Sequence, residues 1–380
     1  MQVILKKVKR KTARHFINIP GWRTNRKIVV IESDDWGSIR MPSREVYERF
    51  LKQGIKVNHC PYNRYDSLAS EEDLEALFEL LKRFKDKKGN HPVITANTVL
   101  ANPDFEKIRE SGFEEYFYEN FTETLKKHPN HSKSFNLWKQ GIESKVFFPQ
   151  FHGREHLNIK TWLMHLRNNH GLFRKAFDHG FWGLGTDIVG KLNINIQAAF
   201  DTEDRADISN QKEIIKDGLR LFEQIFGFQS RSFIANNFIW DSALNQTLFE
   251  NGIHFLQGMK YQKLPKYQNK RRGMVRHYLG EKNNSGQIHL IRNCVFEPSQ
   301  YPKNYDSAGR CLKEIRIAFL WKKPAIISAH RLNFIGSLVR SNREQNLEKL
   351  SHLIKQIQKQ WPDVEFMNSV ELGDLIIRKK

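Results

Sequence analysis

Two adjacent carboxylates follow an apolar run near the start of the chain. Ile28–Ile31 is wholly apolar, and Asp34 and Asp35 come shortly afterwards, just ahead of the turn residues Trp36–Ser38. A short apolar run that ends at a turn is typical of a buried parallel strand. Parallel α/β folds place their chemistry at the carboxyl ends of their strands, so this pair is a candidate for metal binding or acid–base catalysis.

Histidines follow two further apolar runs. Val146–Phe151 leads into His152 and His156, and Pro324–Ala329 leads into His330. A spacing of four residues places two imidazoles on one side of a helical turn. One carboxylate and two imidazoles can hold a divalent metal and leave a position open for water. The second carboxylate of the acidic pair could then deprotonate that water.

The elements that would position these residues alternate between strands and helices along the whole chain. After the first strand, the predicted strands are His91–Val99, Val146–Phe151, Asn193–Phe200, Arg231–Ile234, His254–Leu256, Gln287–Cys294, Pro324–Ala329 and Val364–Met367. This alternation predicts parallel βαβ units that close into a barrel, or else an open doubly wound sheet. No glycine-rich phosphate loop follows the first strand. We therefore predict an α/β fold, a distorted (β/α) barrel of seven strands with a helical insertion after the first strand.

The charge of the chain is strongly basic and unevenly distributed. The net charge is +20, and residues 1–31 contain nine Lys or Arg and no acidic residue; a second basic cluster spans residues 263–276. We predict that residues 1–27 form a basic N-terminal extension and that residues 28–380 form a single domain. Because the extension interleaves bulky apolar and basic residues, it is expected to contact an anionic membrane peripherally. The alternative is that it covers the base of the barrel.

The composition also limits the location and the partners. No stretch has the length of a membrane span, and the apolar start followed by charges reverses the order of a signal peptide. Cys60, Cys294 and Cys311 form no CxxC pair, which agrees with a reducing compartment. We expect a cytoplasmic or membrane-peripheral protein. The chain lacks the aromatic and basic repeats of a nucleic-acid module, so no nucleic-acid partner is expected.

The ordered set of acidic and histidine residues resembles the motifs of the polysaccharide deacetylases, also called the NodB-homology domain or carbohydrate esterase family four. The family's first motif, a strand ending in two aspartates, is matched by Ser33-Asp34-Asp35. Its second motif, His-Ser/Thr-x-x-His, is matched by His152-Gly153-Arg154-Glu155-His156. Its last motif, an apolar strand ending in Leu-x-His, is matched by Ile327-Ser328-Ala329-His330, with Ser in place of Leu.

The resemblance implies a role for each of these residues. Asp34 would be the general base, and His330 the general acid. Asp35, His152 and His156 would bind a divalent metal, with Zn²⁺ the first choice and Co²⁺, Ni²⁺ or Mn²⁺ able to fit the same ligands. The implied reaction is removal of an N-acetyl group from a glycan or from a glycolipid- or nucleotide-linked sugar. Such a substrate would be a carbohydrate, and an anionic or lipid-linked one would suit the basic surface.

The third and fourth motifs of the family are not matched. Residues 231–237 occupy the place of the third motif, Arg-x-Pro-Tyr/Phe, and no Asp-Trp pair corresponds to the fourth. The substrate wall is therefore expected to diverge. The candidate substrate-binding residues are Trp36, Arg154, Arg231, Asn237, Arg331 and Asn333. Further candidates near strand ends are Asp201, which could orient a ligand histidine, and Glu297 and Arg276.

Two other functions remain open from the sequence. The first is a metal-independent glycoside hydrolase-like barrel, which needs two carboxylates about 5–10 Å apart. Its second carboxylate would be Asp201 or Glu297. The other function is a non-enzymatic polyanion-binding protein, whose affinity would fall steeply with salt.

Overall fold

A curved parallel sheet forms the centre of the computed structural model, which describes residues 14–190, 192–267 and 271–378. The strands are β1 Ile28–Trp36, β2 Ile94–Thr98, β3 Ala101–Pro103, β4 Tyr118–Asn120, β5 Phe147–Phe151, β6 Ser232–Phe233, β7 Phe255–Gly258, β8 Tyr261–Lys263, β9 Met274–Arg276, β10 Ile288–Ile291, β11 Cys294–Val295, β12 Ala325–His330 and β13 Glu365–Phe366. The main sheet has the order β10-β7-β6-β5-β2-β1-β12-β11, and β13 also pairs with β1. Every pairing in it is parallel, which confirms the predicted α/β class.

The two ends of this strand path meet at one short connection. Only Arg292 and Asn293 separate β10 from β11. The backbone N–H of Arg292 donates to Gly258 O of β7 at 2.9 Å, and that of Asn293 donates to Ile326 O of β12 at 3.1 Å. The sheet therefore curves round like a barrel rather than remaining open. The structure divides the predicted strand 287–294 into β10 and β11, and the count of seven strands stays a prediction.

The side chains of β1 alternate between the helices and the interior of the sheet. Val29 and Ile31 pack in the large cluster beneath the helices, whereas Val30 packs with apolar residues of β7, β10 and β12. Glu32 and Asp34 share the orientation of Val30 and lie above it. The interior thus has an apolar lower layer and a charged upper layer at the carboxyl end of the strands.

Helices cover the outside of the sheet. Their bounds are Arg44–Lys52, Pro61–Tyr65, Glu71–Lys82, Phe105–Glu110, Phe121–Lys127, Ser134–Glu143, Ile159–Arg167, Gly171–Asp178, Thr186–Val189, Asp207–Phe226, Asn245–Glu250, Ser307–Leu320, Arg340–Gln360 and Ser369–Arg378. Ser70 caps the helix Glu71–Lys82, because its side chain accepts from Asp73 N while the Asp73 side chain accepts from Ser70 N in return. The helices Arg44–Lys52 and Pro61–Tyr65 lie between β1 and the helix Glu71–Lys82, which is the last helix before β2.

The prediction of a strand at 193–200 is wrong. Its side chains do alternate in burial, with Ile194, Ile196 and Ala198 inside, but the backbone forms turns. Ala198 N donates to Asn195 O, and Asn158 N donates to Ile196 O, so neither edge of the segment meets a strand ladder. The alternation comes from a loop packed on the helix Ile159–Arg167.

The described part of the basic extension crosses the base of the barrel. Trp22 N donates to Leu279 O at 2.8 Å, and the Lys323 ammonium, just before β12, donates to the carbonyls of Pro20, Gly21 and Trp22. Residues 1–13, which include most of the interleaved basic sequence, lie outside the described residues. Membrane contact and the domain division at residue 27 therefore stay predictions. Within the described ranges, no helix has both the length and the apolar content to cross a membrane.

Candidate metal and acid–base site

The carboxyl end of β1 presents Asp35 through an irregular backbone. The pairing of β1 with β2 shifts between Ser33 and Trp36, and Asp35 has a left-handed φ of +73°. Gly37 follows at φ +83°, and a Cβ there would lie 2.2 Å from Val99 O. Non-glycine residues in this region are uncommon and concentrate at functional sites. The bulge turns the Asp35 carboxylate out of the strand and towards the histidines that follow β5.

Asp35, His152 and His156 are brought together as predicted, although not by a helix. Both histidines lie in the loop between β5 and the helix Ile159–Arg167, so the predicted helical turn at this pair is wrong. Their Nε2 atoms lie 3.3 Å and 3.2 Å from Asp35 Oδ1, and the three donor atoms are all within 4.8 Å of one another. All three side chains are buried.

The protonation of this trio suits a metal ion. His152 Nδ1 donates to Ile234 O at 2.8 Å, which leaves the lone pair of Nε2 facing Asp35. Burial lowers the pKa of His156. Burial opposes ionisation of Asp35, but the two imidazoles outweigh it and hold the pKa of its carboxyl well below the usual range. One carboxylate and two imidazoles therefore converge, which is the donor set that Zn²⁺ and similar ions take.

Asp34 is held as a fixed anion beside this trio. Arg292 donates from Nη2 to Asp34 Oδ1 at 2.6 Å and from Nη1 to Oδ2 at 2.7 Å, and its Nε donates to Glu32 at 2.6 Å. Asn97 donates to Asp34 Oδ1 at 2.7 Å. Burial alone would raise the pKa of Asp34, but the fully buried Arg292 guanidinium outweighs it, and the pKa falls to about 2.

His330 is held as a cation at the adjacent strand end. It is opposite Asp34 in the β1–β12 register, and its Nε2 lies 3.7 Å from Asp34 Oδ2. Its Nδ1 lies 2.5 Å from Glu297 Oε1. Burial lowers the pKa of His330, but Glu297 and the two aspartates outweigh it, and the pKa rises to about 9. His330 is therefore protonated at neutral pH, as a general acid requires.

Glu297 holds the His330 ring from the neighbouring strand. It comes two residues after β11 and reaches His330 from the strand on the far side of β12. Asn333 donates to Glu297 Oε2 at 2.7 Å and to His330 O at 3.0 Å. Its position at a strand end was the available sequence signal. The predicted substrate role of Asn333 is corrected, because this buried side chain orients Glu297.

The predicted acidic and histidine residues line one cavity of about 390 Å³. Among the predicted substrate residues, Asn237 lines it too, with a left-handed φ of +56°. The remaining lining residues are Arg40, Tyr62, Gln197, Ala235, Phe238, Met259, Lys263, Val295, Glu297, Gln300 and Ser328. The sequence did not indicate Arg40, although it closes the same segment that carries the two aspartates.

The structure places four other predicted substrate residues away from this cavity. Trp36 is buried in the core and donates to Ser33 Oγ, so it forms no sugar platform. Arg231 lies at the start of β6 and pairs with Asp374. Each of the other two is held by carboxylates: Arg154 by Glu155 and Asp217, and the fully buried Arg331 by Asp66.

The weaker strand-end candidates are also placed. Asp201 forms a bidentate pair with Arg272 at 2.7 Å and 3.0 Å rather than orienting a ligand histidine. Arg276 is exposed on β9. Neither residue lines the cavity.

A second group of possible donors, His277, Glu281 and His289, is less suited to a metal. The two nitrogens of His277 already contact Glu281 at 3.0 Å and Gln262 at 2.9 Å. The two imidazoles stack with centroids 3.8 Å apart and an interplanar angle of 11°, so their in-plane lone pairs run parallel rather than converge. His277 and His289 therefore form a stacked pair of rings, and this group does not have the converging geometry of a metal site.

Comparisons with known proteins give structural likenesses only. No family model and no curated protein matches the chain. A solved structure from Mycobacterium smegmatis assigned as a polysaccharide deacetylase aligns at 8% identity with a TM-score of 0.48, over 95% of this chain and 93% of that one. The PuuE allantoinase aligns at 9% identity and 0.44, over 93% of each chain. A 4-α-glucanotransferase from Thermococcus litoralis aligns at 10% identity and 0.46, over 93% of this chain and 40% of its own.

Proposed function

We propose that the protein is a metal-dependent hydrolase that removes an N-acetyl group from a glycan or from a glycolipid- or nucleotide-linked sugar. The observation that supports this most directly is the junction of two groups in one cavity. The Asp35, His152 and His156 donor atoms lie within 4.8 Å of one another, and the protonated His330 lines the same cavity. The proposal rests on this geometry together with the motifs that resemble the polysaccharide deacetylases.

Asp35, His152 and His156 would hold the divalent ion, for which we propose Zn²⁺, with Co²⁺, Ni²⁺ or Mn²⁺ as alternatives. A bound ion of this kind polarises an acyl oxygen and makes a bound water more acidic. The contact from His152 Nδ1 to Ile234 O fixes that ring, so its Nε2 stays directed at the site.

Asp34 is proposed to accept the proton of the attacking water. Its pKa of about 2 keeps it ionised across the working range, and Arg292 fixes both of its oxygens. Such a weak base takes a proton only from an acidified water, which is a reason to expect the metal to be required. The anion at 3.7 Å also favours the protonated form of His330.

His330 is proposed to protonate the departing nitrogen from Nε2. An amine is a poor leaving group without a proton, so an amide needs this acid more than an ester does. Glu297 holds the opposite ring nitrogen, which directs Nε2 towards Asp34 and the cavity.

The test compares metal content and acetate release in matched variants. Purified wild-type protein is expected to bind one equivalent of Zn²⁺ and to release acetate from N-acetylated chito-oligosaccharides or from an N-acetylated sugar nucleotide. The Asp35→Ala, His152→Ala double variant is expected to lose both the metal and the release. Asp34→Asn should retain the metal and lose turnover. His165→Ala, on the helix Ile159–Arg167, is the control histidine.

A double variant that retains stoichiometric zinc would remove the basis of this proposal. Acetate release that persists in excess chelator would do the same. The metal-independent glycoside hydrolase gains little support from the site, because Asp34 has a pKa too low for a general acid and Glu297 is occupied by His330 and Asn333.

A further inference from the structure

The Arg40 guanidinium lies in the cavity and has no role in the proposed proton transfers. Its side chain is only 4% exposed, and it lines the cavity beside the aspartates. Its Nη2 atom is 3.9 Å from Asp35 Oδ2, which is too long for a hydrogen bond. Its buried Nη1 atom has no hydrogen-bond partner anywhere in the described residues.

The surrounding structure fixes this guanidinium in place. It lies over the ring of Tyr62 at 5.3 Å and over the ring of Trp182 at 5.1 Å. Trp182 in turn donates from Nε1 to Ile39 O at 2.6 Å. A Cβ at Gly183 would lie 2.7 Å from Arg40 Cδ, so the missing side chain there makes room for the arginine stem.

A buried cationic donor without an acceptor is costly, so its retention needs a compensating ligand. The carboxylates around the cavity are already balanced. Asp34 is paired with Arg292 and Glu297 with His330, while Asp35 belongs to the proposed metal site. Lys263 adds a second cation to the cavity lining. Among the described residues, Arg40 and Lys263 are therefore the cavity-lining cations that have no carboxylate at hydrogen-bond distance.

We infer that Arg40 binds a carboxylate or phosphate group of the substrate, close to the acylated nitrogen. The planar guanidinium presents paired N–H donors that match these anions, and it has no competing bidentate partner in the protein. This inference rests on the proposed function and narrows its substrate to an acidic or phosphorylated acetamido sugar. A neutral polymer of N-acetylated sugars offers no group for Arg40.

The test measures binding of two simple anions to the full-length protein. Inorganic phosphate and acetate are each titrated by calorimetry at fixed ionic strength after metal removal, so that neither anion binds a metal. Arg40→Gln is expected to weaken binding of the preferred anion at least about tenfold. Arg231→Gln, which removes one positive charge at the far end of the barrel, should bind like the wild type. The tighter of the two anions identifies the source as phosphate or carboxylate.

Two outcomes would overturn the inference. One is Arg40→Gln binding both anions with wild-type affinity, which would place the binding on surface lysines. The other is wild-type protein that binds neither anion. If Arg40→Gln does not fold, Arg40→Lys decides the case: loss of the planar fork should weaken binding about threefold or more, and unchanged affinity overturns the inference. Because the titration needs no hydrolysis, it stands even if the deacetylase proposal fails. Conversely, the protein could hydrolyse neutral substrates while the wild type and Arg40→Gln bind anions equally. That result would contradict only this inference and would leave the deacetylase proposal intact.

Discussion

Two arginines each hold an aspartate with a pair of hydrogen bonds, at opposite ends of the barrel. Arg292 holds Asp34 at 2.6 Å and 2.7 Å in the interior, with both side chains almost fully buried. Arg231 holds Asp374 at 2.7 Å and 2.8 Å at the base, with side chains 40% and 31% exposed. The hydrogen-bond distances are nearly identical, but the burial differs. The buried Arg292 pair sets the charge of Asp34, the proposed base, whereas the partly exposed Arg231 pair only connects the start of β6 to the last helix.

The two ends also differ in how completely they satisfy their polar groups. At the base, the Lys323 ammonium donates to three carbonyls at 2.6–2.7 Å. At the mouth, Arg40 Nη1 and His156 Nδ1 are buried with no partner in the described ranges, and the backbone is left-handed at Asp35 and Asn237. Native structures rarely leave buried polar atoms unpaired, and the unpaired Arg40 Nη1 atom is the one from which the anion site is inferred. The two ends thus contrast a fully paired ammonium at the base with an unpaired guanidinium at the mouth.

Removal of the interior arginine is the largest expected effect. Arg292→Met would leave Asp34 and Glu32 buried without a counter-charge, and breaking such a pair costs about 3–5 kcal/mol of unfolding free energy. Urea denaturation followed by circular dichroism measures this loss. Stability within about 1 kcal/mol of the wild type would show that the two ends do not differ as argued.

Loss of the proposed acid is the next effect in size. His330→Gln keeps the approximate size and polarity of the side chain but carries no acidic proton that it can transfer, so kcat for the acetylated substrate should fall about 10²–10⁴-fold. The zinc content should remain stoichiometric, because His330 is not one of the three proposed ligands. Steady-state kinetics and metal analysis on the same preparation check both statements, and an unchanged kcat would contradict the role.

Glu297→Gln is expected to move a pH profile rather than abolish activity. His330 must be protonated to act, and with a pKa of about 9 it should lose activity above pH 9. Glu297 is the main cause of that raised pKa, so its neutralisation should shift the alkaline limb of kcat to lower pH.

The raised pKa also means that His330 stabilises the fold fully below its unfolded pKa of about 6.5, and that this stabilisation is lost as the pH rises through about 9.

The pH profile separates two roles for Glu297. A residue that only maintained structure would lower kcat at every pH and leave the limb in place. A limb that stays near pH 9 in Glu297→Gln would therefore contradict the electrostatic role. Asn333→Ala leaves the Glu297 carboxylate in place but removes the Asn333 side-chain contacts to Glu297 Oε2, His330 O and Ser299 N, so it should give a smaller shift in the same direction.

Much of the site could be predicted because its residues are local features of strand ends. Asp34, Asp35, His152 and His330 each follow or end an apolar run, and parallel strands bring such positions to one face. The left-handed backbone of Asp35 did not have to be predicted for the site to be found. The bulge only reorients a side chain that already lies at the carboxyl end of β1.

Arg231 was wrongly predicted as a substrate residue and Arg292 was missed, because the position of each relative to the strand direction was not used. Arg231 comes immediately before β6 and so lies at the base, whereas Arg292 comes immediately after β10 and so reaches the mouth. A sequence argument that followed strand direction could have found this. The setting of Arg40 could not be found that way, because Tyr62 and Trp182 meet it only through tertiary packing.

The fold was predicted where apolar runs have ladder partners and missed where they do not. The alternation at 193–200 is as regular as that of a real strand, yet it arises from a loop buried against a helix. An alternating pattern of apolar residues indicates which side chains are buried. A strand also needs a neighbouring strand whose backbone N–H and C=O groups are free to pair with it. That neighbour is set by the whole topology and is not encoded in the eight residues.

Removal of the base arginine is the smallest expected effect and the sharpest check on the comparison. Arg231→Met breaks a two-hydrogen-bond aspartate pair like the one between Arg292 and Asp34, but Arg231 has no second carboxylate such as Glu32 among the described residues, and both partners are partly exposed to water. The expected loss is roughly 0–1 kcal/mol of unfolding free energy, and it should shrink further in high salt because exposed charges are screened. Kinetics and zinc content should match the wild type, since Arg231 is absent from the cavity lining. Denaturation of the two variants side by side compares a buried arginine–aspartate pair, which also holds Glu32, with a partly exposed one. A loss at Arg231 as large as that at Arg292 would mean that the base pair, and not the charged interior, anchors the barrel.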